Sequence, residues 1–166
     1  MASLASRLLG RRHLGYFAAA DGRAASLGDT WLVMSGENVD IVRQALEAHE
    51  SEGMEAALRF FAADVVWYPT DRWLESNAYR GHEGMRAVEA EWTVNFDDWR
   101  WSVHDIRDAG ERVVALVEMT GCVKGSGIEM HRPLGLVASN IQDGTMGTIR
   151  AYPSWEEALK AAGLDR

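Results

Sequence analysis

The sequence predicts an α+β fold: a cone-shaped, curved, mainly antiparallel sheet closed by N-terminal helices. Three observations predict it. Helical periodicity dominates before residue 97 and strand alternation after it, and such segregation marks this class. Three tight-turn signals, "DAGE", "KGSG" and "QDGT", divide the second half into four consecutive strands, and turns this short join antiparallel neighbours. A chain of 166 residues at 47% hydrophobic is also long enough for one compact domain with its own core.

Along the chain, the first helix is expected from an N-cap at Asn38 to about Glu52. Val39, Val42, Leu46 and His49 recur at helical spacing, and Asp40 favours the first turn. Gly53 can take the left-handed conformation that ends this helix. A second short helix carries Met54, Leu58 and Phe61 on one side. "DVVWYP" (64–69) is β-branched and aromatic and reads as a strand stopped by Pro69. The loop "TDRWLESNAYRG" has no period. "HEGMRAVEAEWTVNF" (82–96) returns to helix, with Met85, Val88, Trp92 and Phe96 along one stripe. The strands "WRWSVHDIR", "RVVALVEMTGCV", "IEMHRPLGLVASNIQ" and "TMGTIRAY" follow. Pro133 removes a ladder donor from the third of these and implies an edge or a bulge. Ser154 and Glu157 then form a capping box, and Gly163 ends the last helix.

The first 33 residues stand apart. They hold four arginines against two aspartates, are rich in Ala, Ser and Gly, and keep no steady period, whereas the whole chain has a net charge of −8. They read as an N-terminal extension, disordered or a misassigned start, with the domain spanning 34–166. A transit peptide and a twin-arginine signal at Arg11-Arg12 are the alternatives.

The acidic balance argues against a nucleic-acid partner, which would need a basic face. No apolar run approaches the roughly 20 residues of a membrane span. The one cysteine, Cys122, excludes an intrachain disulfide and fits a cytoplasmic location. His49, His82, His104 and His131 have no metal-ligand spacing, and there is no phosphate loop, nucleophile elbow or dinucleotide fingerprint, so neither a metal nor a cofactor is expected. Seven Trp are many for this length and should line a core, a cavity or an interface.

The turns also set a register. Two-residue turns at Ala109-Gly110, Gly125-Ser126 and Asp143-Gly144 place Trp101 opposite Glu118, Thr120 opposite His131, Val137 opposite Arg150 and Gly135 opposite Tyr152. One face then carries Trp99, Trp101, Val114, Leu116, Glu118, Thr120, His131, Arg150 and Tyr152, a mixture suited to a ligand cavity. The other carries Val113, Ala115, Val117, Met119, Leu134, Leu136, Ala138 and Ile149, smooth and apolar, suited to a helix or to a second copy of the chain.

The stretches "ENVDIVRQALEAHESEGMEAALRFFAADVVWYP", "YRGHEGMRAV", "DAGERVVALVEMTGCVKGSGIEM" and "IQDGTMGTIRAYPSWEEALKAAGL" resemble SnoaL-like domains of the nuclear transport factor 2-like superfamily, whose fold is cystatin-like. The resemblance covers about residues 35–164. It implies the cone, and it implies no single chemistry, because the superfamily uses one fold for isomerases, cyclases, dehydratases, epoxide hydrolases and non-catalytic proteins. It also implies a homodimer through the smooth sheet face. Ser139, Thr148 and Ser154 depart from residues common in relatives, so the ligand is expected to differ from theirs.

Two functions are expected. The first is a cofactor-independent cyclase, isomerase or dehydratase acting on a small apolar carbonyl or polycyclic substrate. His131 or Glu118 would act as base, or Asp71 from the loop at the mouth, with Tyr152 and Arg150 stabilising an oxyanion. Trp67, Trp92 and Trp101 would wall the ligand. The second is a non-catalytic ligand-binding or dimerisation domain, in which Glu118 and Arg150 simply pair and the tryptophans are core.

Overall fold

The computed structural model describes residues 17–18, 24–25, 27–70 and 78–164, with side chains from residue 36 onward. The chain divides into two units at Val33/Met34. In the first, Phe17–Ala18 (β1) and Ala24–Ala25 (β2) form a short antiparallel pair. Helix α1, Leu27–Glu52, runs through the expected N-cap Asn38 without a break. It ends at Gly53, whose φ of 87° and ψ of −175° lie outside the expected left-handed turn, in an extended region open essentially to glycine alone.

In the second unit, α2 (Met54–Ala57) and one 3-10 turn (Leu58–Phe60) lead into β3, Phe61–Tyr68. A two-residue strand β4, Tyr79–Arg80, lies within a stretch whose sequence has no period, and it feeds α3, Gly81–Asn95. The meander follows as β5 (Phe96–Asp108), β6 (Val113–Val123), β7 (Glu129–Gln142) and β8 (Thr145–Tyr152). Helix α4, Trp155–Ala161, closes the chain, with the Glu157 amide donating to Ser154 Oγ at 3.2 Å as the capping box requires.

The strands order as β4-β3-β8-β7-β6-β5, antiparallel throughout except where β3 runs parallel to β8. The mixed α+β class therefore holds, but the expected cone does not. The sheet is open, with β4 and β5 as separate edges, and it is neither closed nor strongly curled. The reason lies in its covering. The expectation put a ligand cavity on one face and a helix or second copy on the other, whereas helices of the chain itself pack on both. Residues of α1, α2 and α3 cluster with Val65, Val113, Ala115, Val117 and Met119 on one face, and Ala158 of α4 buries Val114, Leu116 and Val137 on the other. The smooth face expected to join a second copy is thus filled by the protein's own helices, and Val117 on it is 0% exposed.

Two of the three predicted registers are observed: Thr120 opposes His131 and Val137 opposes Arg150. Pro133 pairs with Glu118 on β6, beyond the end of β8 at Tyr152, so its missing N–H falls where β7 is locally an edge. The β5–β6 register differs from the expected one. Asp108 pairs with Val113, which lengthens the turn to four residues, and one extra residue, His104, is inserted between the pairs Val103–Val117 and Asp105–Leu116. Such a bulge exchanges faces for the residues upstream of it, here as far as the second shift between Asp97 and Arg100. Trp101 consequently opposes the buried Met119 and not Glu118.

Candidate functional site

Helical spacing places Val42, Leu46 and His49 of α1 on one side, and Met85, Val88, Glu89 and Trp92 of α3 face them across the helix-covered sheet surface. The bulge at His104 turns Trp99 and Trp101 inward to meet Trp67 of β3. Together these residues line a partly open cavity of about 70 Å³, several times what one water needs. Its walls are almost wholly apolar, and four of the seven tryptophans contribute to them. The rings are fixed against one another: Trp99 meets Trp101 edge to face at 6.0 Å and lies 6.3 Å from Trp92, and its Nε1 donates to Thr93 Oγ1 at 3.2 Å.

Two titratable side chains line this space. His49 Nε2 lies 3.4 Å from Glu89 Oε1, with 14% and 29% of the side chains exposed. The contact is electrostatic and is not aligned as a hydrogen bond, which leaves Nε2 buried without a hydrogen-bond partner. Burial pushes the His49 pKa below the usual 6.5, and the Glu89 carboxylate opposes that shift without cancelling it. His49 is therefore held neutral near pH 7 beside an acid that would stabilise its protonated form. A smaller hollow shares Trp67, Val88, Trp92 and Trp101 with the cavity and is lined by Thr70, whose buried hydroxyl also lacks a partner. Outside the cavity, Tyr79 donates to Glu91 at 2.6 Å, and burial followed by that carboxylate pushes the phenol up to about 12. No tyrosine and no Lys or Arg is among the described residues lining the cavity.

The residues singled out from the sequence separate into two groups. Trp67, Trp92 and Trp101 line the cavity. Glu118, His131, Arg150 and Tyr152 lie on the other face of the sheet. Glu118 stands between two histidines, with His104 Nε2 at 3.5 Å and His131 Nδ1 at 4.0 Å, and His131 is 63% exposed. Arg150 is exposed and stacks its guanidinium 4.2 Å from the Tyr68 ring centre, so it is not the partner of Glu118. Tyr152 packs against the α4 cluster. Their expected grouping with Trp101 in one pocket fails because the bulge moves Trp101 away from them. In the last strand it is Ile149, not Arg150, that reaches the cavity. Asp71 lies outside the described residues.

The sequence reading missed His49 and Glu89 as a pair. The available signal was a titratable residue in the apolar stripe of one helix and another at the margin of the stripe in a second, separated by 40 positions. Among the described residues no group of three or more His, Cys, Asp or Glu is placed to hold a metal ion, and no helix is long and apolar enough to cross a membrane.

Comparison with known proteins bears on the same geometry. The SnoaL-like domain model matches residues 42–144. No curated protein matches the sequence significantly. Among solved structures, a nuclear transport factor 2-like protein from Burkholderia pseudomallei is 20% identical with a TM-score of 0.62, over 75% of this chain and 95% of that one. A second such protein, from Burkholderia thailandensis, is 16% identical with a TM-score of 0.65, over 78% and 97%. A protein with a ketosteroid isomerase-like fold from Catenulispora acidiphila, in complex with trimethylamine, is 18% identical with a TM-score of 0.59, over 75% and 92%. At these identities the likeness is one of fold.

Proposed function

The chain belongs to the SnoaL-like family of the nuclear transport factor 2-like superfamily, and from that premise we propose that it binds a small, largely apolar molecule in the tryptophan-walled cavity and acts on it by proton transfer, without a cofactor. One observation carries this reading: a buried neutral histidine and a carboxylate are the titratable pair in an otherwise apolar cavity. Neutral His49 is in the protonation state a base requires at pH 7, and Glu89 offsets part of the cost of forming the imidazolium in a poorly solvated place. Trp67, Trp92 and Trp101 hold and flatten the ligand. The relative that holds trimethylamine supports a compact ligand for a cavity of this size.

The test is solvent deuterium exchange into the α-carbons of small cyclic ketones, followed by proton NMR. The protein should accelerate exchange for at least one ketone, and His49→Gln should lower that rate by about 10²-fold, within the range for a positioned base. Binding without acceleration, read from tryptophan fluorescence, would replace this with the second reading, a non-catalytic ligand-binding domain. That reading draws on one specific feature, the lack of a phenol in the described cavity wall to stabilise an enolate.

A further inference from the structure

Taking the cavity to be a ligand site, as above, we infer that its ligand carries a positive charge on a compact, methyl-rich nitrogen, as in a quaternary or methylated ammonium ion. The walls are those such an ion requires. Trp99 and Trp101 stand at 83° to one another, so their rings form a corner, and Trp92 and Trp67 extend it. A cation within about 6 Å of an indole face is attracted by the ring's negative quadrupole, and indole is the strongest of the aromatic side chains in this role. Methyl groups around the nitrogen satisfy the apolar surface and need no hydrogen-bond acceptors, of which the cavity offers few.

Charge points the same way. Glu89 is the acid of the cavity, and although His49 Nε2 lies 3.4 Å from it, burial favours the uncharged imidazole, so the pair carries negative charge. No Lys or Arg is among the described lining residues. An anionic ligand would meet Glu89 with nothing to offset the repulsion. A neutral apolar ligand would desolvate the carboxylate further without bringing a counter-charge. A cation removes both costs, and the chain's net charge of −8 concentrates cations around the molecule before they bind. A positive nitrogen would also acidify neighbouring C–H bonds of the ligand, which suits a base of His49's modest strength.

The experiment uses choline and its uncharged isostere, 3,3-dimethylbutan-1-ol, which differ at one atom in charge and hardly in shape. Both are titrated against tryptophan fluorescence in about 0.15 M salt, where the Debye length of about 8 Å suppresses long-range attraction. Choline should bind roughly tenfold more tightly, a modest share of a desolvated cation–π contact. Glu89→Gln should remove most of that preference by weakening choline, with the alcohol bound at least as tightly as before and the variant still folded by its melting transition. Equal affinity for the two compounds in the unmodified protein, or a Glu89→Gln variant that loses both equally, overturns the cation and leaves the cavity standing. No fluorescence response to either compound overturns the cavity reading itself.

Discussion

At the scale of single residues, the proposed proton transfer rests on His49. Because its native pKa lies below 6.5, the unfolded chain takes up a proton here before the native state does. Stability from this group is therefore intact above about pH 6.5 and declines as pH falls from there toward the native pKa, below which no more is lost. Melting temperatures at two values, one on either side of that window, check it: the native protein should lose more stability on acidification than His49→Gln, and parallel losses would remove His49 from the account. This residue was only half legible beforehand. Its place on the apolar stripe of α1 was visible in the spacing Val42, Leu46, His49, but nothing local in sequence ties it to Glu89. That pairing exists because α1 and α3 pack on one sheet face, a tertiary fact.

At the scale of elements, periodicity and turn chemistry revealed most of the fold. The capping box at Ser154, the positive-φ Gly53 and the Asp143-Gly144 turn, with φ of 51° and 76°, all stand where their residue types place them. What escaped was β5, since a bulge has no side-chain requirement strong enough to read from one sequence. The other missed relation is that of α4 to the sheet. Gly135 lies so close beneath that helix that an added Cβ would sit 2.1 Å from the Ala158 Cβ, with backbone nearby. Gly135→Ala should therefore cost about 1–3 kcal/mol in denaturant unfolding, the usual range for overpacking. Combining it with Ala158→Gly should recover part of the loss. If Gly135→Ala alone is neutral, α4 is not seated as described.

For the whole molecule, the open sheet has consequences that a closed one would lack. Its edge strand β5 exposes backbone donors and acceptors to any other strand, and it is crowded with Asp97, Asp98, Arg100, Asp105, Arg107 and Asp108 and broken by two register shifts, features that resist edge-to-edge pairing. The apolar side chains of the face once suited to a second copy lie under helices, so that face is core. Val117→Lys places a charge among fully buried neighbours, where an unpaired ammonium has no solvation. It should lower the melting temperature sharply or abolish folding. A folded variant altered only in its sedimentation would contradict the burial of that face.

The inserted residue in β5 can also be viewed as heredity would see it. Upstream of His104 the strand is out of phase with its downstream half, and that offset turns Trp99 and Trp101 toward the cavity. Loss of the His104 codon would close the bulge, with Val103 still opposite Val117 and Asp105 still opposite Leu116, so Trp101 would keep its place opposite Met119. A lineage with this sheet could therefore shed that codon and keep its aromatic chamber; emptying the chamber of its indoles would take a shift of the upstream β5 pairing as a whole.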